Sequence, residues 1–220
     1  MSQATRDRII STAARLFAER GIDGVSLREI SRESGARNAM ATQYHFGDRA
    51  GVVEAILARH QPAVEAARSA LLDQMEAGPG RPDQAVRALA GALVRPLAAQ
   101  LAGPDGGPEF LQVHAEVLER DPGAPGVSGP SMVRWRQLVD PYLDRDAVRL
   151  HRRFTAWLHT ATELSRRARS GPHTDDRLFT SYLVDVVSAI LSFPVSPETR
   201  RLADERDRAR PGPNTRSSPR

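Results

Sequence analysis

The chain contains no cysteine. Disulfides and thiolate metal sites are excluded, although this absence does not by itself fix the redox compartment. Lysine is absent too, so all 31 basic residues are arginine. Coding bias in a GC-rich genome explains this more simply than any special use of guanidinium chemistry. No run approaches the roughly 18–20 apolar residues of a membrane span. The opening MSQATRDRII puts charge where an export signal needs an apolar stretch. The expectation is a cytoplasmic protein with no membrane partner.

Enzyme signatures are missing as well. There is no H-E-x-x-H, no G-x-S-x-G elbow and no phosphate-cradling glycine loop after a strand. Glycine-rich stretches such as DPGAPGVSGP are proline-mixed loops. His151 and His159 lie eight apart, not at the i, i+4 spacing of a helical metal pair. Neither enzymatic activity, nor a metal, nor a cofactor is expected.

The net charge of +4 is weak evidence for nucleic acid, because the last 21 residues hold seven arginines against three acids. Residues 1–60 carry nine arginines against seven acids. Pattern must carry the argument instead.

The pattern is helical throughout, with no strand alternation and no internal repeat. Ile9, Ile10, Ala13, Leu16 and Phe17 recur at helical spacing over 5–20, and Gly21 with Ile22 behind it reads as a C-cap. Ser26 with Glu29 three residues on is a capping box for a short helix stopped by Gly35. A third short helix is expected over 38–45, with hardly any aliphatic content. Asp48 caps a long fourth helix running to Met75 through Pro62. Further helices are expected over 83–102, 109–120, 131–143, 146–169 and 175–193. From 196 the chain turns Arg-, Pro- and Ser-rich and is expected to be disordered.

Three short helices with a glycine-led turn before the third make a helix-turn-helix, whose third helix enters the DNA major groove. That explains GARNAMATQYHFGDRAG, a stretch too polar to pack well. Arg37, Asn38, Thr42 and Gln43 are expected to include base readers. Tyr44 and Arg49 are expected at phosphates. Arg28 stands as a DNA contact or a solvated arginine, and His45 faces either DNA or the neighbouring helix. The helix start at Ser26 can offer backbone amides to a phosphate.

The run TAARLFAERGIDGVSLREISRESG with QYHFGDRAGVVEAIL resembles the TetR-type bacterial transcriptional regulators. The matching pieces are Ala13-Ala14 to Leu16-Phe17, Gly21, Ser26 to Ile30, Gly35, Tyr44-His45-Phe46 and Gly47-Asp48-Arg49. The chain departs in one place: ARNAMATQ, between Gly35 and Tyr44, is about two residues longer than the family pattern, as in a subgroup ending in QYHFG. Ser26, Tyr44 and Arg49 stand at matched positions.

The resemblance implies an all-α protein in three parts. These are a helix-turn-helix head (1–48), a helical regulatory and dimerisation domain (49–195) and the tail (196–220). It further implies a homodimer on a palindromic double-stranded DNA operator, released by a small-molecule effector. The apolar stretch 175–193, beside 146–169, suits a dimer surface. Phe110, His114, Trp135, His151, Phe154, Trp157 and His159 include the ingredients of an amphiphilic ligand cavity. An activator of the same architecture and a helical protein-interaction scaffold are the alternatives.

Overall fold

The computed structural model describes residues 3–36, 40–78, 81–103 and 105–209, with the backbone alone at Pro82 and Asp83. Helix α1 (Gln3–Arg20) buries Ile9, Ile10, Ala13, Leu16 and Phe17 along one stripe. Gly21 ends it with φ +77, its N–H donating to the Phe17 carbonyl at 2.8 Å, and Ile22 turns back into the core.

Helix α2 (Leu27–Glu33) begins as the capping box requires: Ser26 Oγ accepts from the Glu29 N–H at 3.2 Å. The Glu29 carboxylate meets the Arg20 guanidinium at 2.7 Å. That bond, aided by the Ser26 amide, holds Glu29 below the usual carboxylate range. Helix α3 (Ala41–Phe46) is short and ends at Gly47, where φ is +72.

Helix α4 (Arg49–Ala77) starts on Asp48, whose carboxylate accepts from the Gly51 N–H at 2.9 Å, and it continues through Pro62. Gly51 is dictated by close approach, since a Cβ there would stand 2.0 Å from the Phe46 carbonyl oxygen. The end of α3 is thus pressed against the start of α4.

The body is built around α5 (Pro82–Ala98), which continues as a 3-10 turn over Ala99–Ala102. By length and composition the segment 84–102 would suit a membrane span. Here Leu89, Ala90, Leu93, Val94 and Leu97 are packed inside a bundle. Around α5 lie α4, α7 (Pro130–Val139), α9 (Arg152–Arg169) and α10 (Arg177–Ser192). Helix α6 (Gly107–Arg120) packs on α9 and also on α1 and α4, so it joins body to head. Buried side chains from Ile9 to Leu191 form one connected core. Among the described residues there is no strand, and the fold is all-α.

A polar knot sits inside this core. Arg68 of α4 is buried and donates to the Ala92 carbonyl at 3.2 Å and Ser131 Oγ at 3.1 Å. Glu65 lies 3.3 Å from it and accepts from both the Ser131 hydroxyl and the Ser131 amide. Burial lowers the Arg68 pKa to about 10, with Glu65 opposing the shift. Every charge in the knot has a partner, which makes burial tolerable and fixes α4, α5 and α7 relative to one another.

Two expectations fail in the body. The single helix expected over 146–169 is two helices, α8 (Arg145–Arg149) and α9, parted at His151. His151 has φ +57, the one positive φ outside glycine among the described residues. The tail expected to be disordered from 196 contains instead helix α11 (Pro197–Ala209). Arg149 binds Asp204 and Asp207, each at 2.8 Å, Arg200 binds Asp146 at 2.7 Å, and Ala203 is buried. Charges that read as tail composition are partners for α8. The remainder, 210–220, lies outside the described residues.

Candidate nucleic-acid interface

Helices α2 and α3 meet through one sealed hydroxyl pair. Ser31 Oγ lies 2.8 Å from Thr42 Oγ1 and accepts from the Thr42 N–H at 3.2 Å. Both side chains are fully buried. Thr42 was expected among the base readers, but it is a bolt between helices with no face toward solvent. Ala41 is buried beside it, which lets the helices approach closely.

With Ala41 and Thr42 inward, Gln43 and Tyr44 point out. Tyr44 is 83% exposed, unusual for a large ring. Its phenol is free to donate or accept. His45 is half-buried, edge-on to Tyr44 with ring centroids 5.3 Å apart and to Phe46 at 6.1 Å. Its Nε2 is enclosed and has no hydrogen-bond partner among the described residues. His45 thus faces the joint between helices more than the outside.

Arg28 is exposed on α2 and makes no hydrogen bond or ion pair among the described residues. Ser26 Oγ accepts from the Glu29 amide, which leaves its own O–H and the backbone N–H groups of the first turn as donors for a phosphate. Arg37 and Asn38, also expected as readers, lie outside the described residues.

Arg49 is already engaged. Its guanidinium donates to the Val25 carbonyl at 3.1 Å and pairs with Asp23 at 3.3 Å. Asp23 also takes Arg120 of α6 at 2.7 Å, and Glu116 of α6 accepts from the Ile22 amide at 3.1 Å. The loop between α1 and α2 is therefore held by the body on one side and holds Arg49 on the other. Arg6 is a further cation that sequence reasoning missed, lying 5.4 Å from the centre of the Phe46 ring. A cation over an aromatic ring forty residues away leaves no local sequence signal.

The exposed side chains of this unit include Arg28 on α2 and Gln43 and Tyr44 on α3, groups able to bond base edges and phosphates, and α3 is fixed from behind. Residues 9–56 match the profile of the bacterial regulatory proteins of the tetR family. Over these residues the head is similar to the N-terminal domain of that family. Two solved structures are similar over most of the chain. A proposed TetR-family transcriptional regulator from Mesorhizobium loti is 15% identical over 87% of this chain and 98% of its own, with a TM-score of 0.47. The TetR family transcriptional regulator PfmR from Thermus thermophilus is 17% identical over 90% of this chain and 95% of its own, with a TM-score of 0.38. No curated protein matches the chain.

The expected ligand residues do not form one cavity behind this head. Trp135, Phe154 and Trp157 line a cleft of about 200 Å³ with Arg136 and His151. Arg136 stands 5.3 Å from the Trp157 ring centre, and Phe154 meets that ring edge-on. Phe110 and His114 do not line this cleft. Phe110 is buried in the core, stacked on His60 at 4.7 Å and tilted against His114 at 5.6 Å. His114 is buried, with Nε2 donating to the Val127 carbonyl at 3.2 Å and Nδ1 without a hydrogen-bond partner among the described residues. Burial pushes its pKa down to about 4.

Proposed function

We propose that the protein is a transcriptional regulator that binds a palindromic operator as a homodimer in the cytoplasm and leaves it when a small-molecule effector binds. Repression is the commoner outcome in the family that the head resembles, and an activator of the same architecture is the alternative. The observation that carries the reading is α3 itself. One face is bolted to α2 by Ser31 and Thr42, and the other presents Gln43 and an uncovered Tyr44. A helix that keeps its polar face outward and its position fixed suits insertion into a groove.

The dimer reading rests on α10. Val187 and Leu191 are buried against the body, yet Leu178 is 84% exposed and Tyr182 and Phe193 are largely uncovered. A second copy covering them would remove a substantial apolar area from water. The effector reading rests on the Trp135–Phe154–Trp157 cleft, where aromatic walls and Arg136 suit a flat ligand with an acidic group. An effector acts by favouring a dimer whose heads are spaced wrongly for the operator.

The test is retention of duplex DNA by the full chain across a salt series. A groove-binding regulator loses affinity steeply as salt rises, because phosphate contacts release counterions. Binding to proteins with no salt-dependent retention of DNA would favour the scaffold reading.

A further inference from the structure

One residue of the body is held against its local preference. Between Arg145 and Arg169 there is no glycine and no proline, and the apolar spacing over 146–169 suits one continuous helix. The chain instead breaks at His151, whose φ of +57 is left-handed. That conformation is uncommon for a residue with a Cβ, and it persists only where the surroundings impose it.

Arginines on both sides of the break do the imposing. Before it, the Arg149 side chain of α8 is only 13% exposed and meets three carboxylates. They are Asp146 of α8 at 3.0 Å, and Asp204 and Asp207 of α11, each at 2.8 Å. Asp146 also takes Arg200 of α11 at 2.7 Å, and Asp207 is shared with Arg206 of its own helix at 2.9 Å. After the break, Arg152 donates to the Phe193 carbonyl in the link between α10 and α11, and Arg153 pairs with Asp140 at 2.6 Å.

Helix α11 brings little else to this contact. Ala203 is its one buried residue, and Leu202 stays exposed. A lone exposed ion pair is worth little, but a shielded guanidinium among three carboxylates is a network. The attachment of α11 is therefore chiefly electrostatic, and salt weakens it. The break has a consequence for the aromatic cleft, because His151 lines it together with Trp135, Arg136 and Trp157. Those two tryptophans are the only ones in the chain.

We propose that α11 is a salt-sensitive latch on the aromatic cleft. Docked, it keeps α8 and α9 parted and holds His151 in the cleft wall. Released, His151 returns to the right-handed region, α8 runs on into α9 as one helix, and the wall that His151 forms is withdrawn. The ion pairs of α11 favour the first arrangement, and relief of one strained residue favours the second, so the segment has two discrete states. The latch regulates the effector cleft proposed above and rests on that reading only for its bearing on DNA.

Because both tryptophans line the cleft, quenching of their fluorescence by neutral acrylamide reads its opening with no ligand present. Full-length protein is compared in about 0.1 M and about 1 M sodium chloride, between which the screening length falls from about 10 Å to about 3 Å. Quenching should rise at least about twofold at the higher salt. The double variant Asp204→Asn, Asp207→Asn, at two exposed positions, should show the high-salt quenching already at low salt and keep a cooperative thermal transition. His151→Asn keeps a polar side chain in the wall but is at ease in the left-handed region. It should lose most of the salt response and raise the thermal midpoint at low salt. Quenching indifferent to salt overturns the proposal. So does a salt response left whole by the double variant or by His151→Asn. Operator affinity of the double variant tests the effector reading apart: if it is unchanged while quenching follows the expected pattern, the latch stands and the cleft is not the site that governs DNA.

Discussion

Thr42 Oγ1 lies 2.8 Å from Ser31 Oγ, with both side chains sealed from water. The pair joins two helices of the reading head and fixes how far α3 stands out from α2. Thr42→Val preserves the shape but removes the hydroxyl, leaving Ser31 with the Thr42 amide alone. The expected cost is about 1–2 kcal/mol of stability, read as a lower urea midpoint. Operator preference should keep every position. A variant that unfolds normally but loses one position of the selected motif would return Thr42 to the DNA face.

Asp23 sits between Arg49 and Arg120. Replacing it by Asn removes a negative charge near the DNA face and frees Arg49. Affinity for any duplex should rise, with a steeper dependence on salt. Arg49→Ala should do the opposite and reduce the salt slope by about one. Filter binding at several salt concentrations reads both. Weaker DNA binding by Asp23→Asn would mean that the ion pair positions Arg49 instead of restraining it.

The exposed and buried faces of α10 should respond differently. Val187→Asp places a charge in the core and should unfold the chain, seen as loss of helical circular dichroism. Leu178→Asp and Tyr182→Asp alter only the uncovered face. They should leave the helical signal intact and turn a dimer into a monomer of half the mass by light scattering. A wild-type monomer at micromolar concentration would remove the dimer reading.

His114 sets a pH dependence. Its folded pKa is about 4, below the ordinary 6.5, so the unfolded chain binds a proton that the folded chain refuses. Its contribution is intact above about pH 7 and is lost as pH falls from 6.5 to 4. The total loss is about 3 kcal/mol. His114→Gln, still able to donate to the Val127 carbonyl, should reduce the slope of stability against pH by one proton over that window. Urea melts at half-unit pH steps measure it; His60, also held low by burial, adds in the same direction.

Much of the head is legible because its signals are local. Gly21 with Ile22, Ser26 with Glu29, and Asp48 with Gly51 each act within four residues, and each is found as read. Thr42 was misread because a threonine in a polar stretch looks the same whether it faces water or a serine eleven residues away. Helix α11 was missed for a similar reason. Its acids pair with Arg149 more than fifty residues away, while its composition alone resembles a solvated tail. Nothing local marks the break at His151 either, where a non-glycine residue adopts positive φ. Phe110 and Trp135 were expected in one ligand cavity; that Phe110 instead stacks on His60 in the core follows from packing between distant helices.

Sequence-specific DNA binding through the exposed side chains of α2 and α3 is the central claim, and selection from random duplexes at fixed salt tests it most directly. The full chain should enrich a two-fold motif whose half-sites are about one helical turn apart, roughly 34–36 Å. Gln43→Ala or Arg28→Ala should flatten at least one position in each half-site, at a cost of about 1–3 kcal/mol for a lost bidentate contact. Tyr44→Phe should weaken all selected sites about equally, as a phosphate contact would. No enriched motif, or a motif unchanged in every position by Gln43→Ala and Arg28→Ala, would contradict the account.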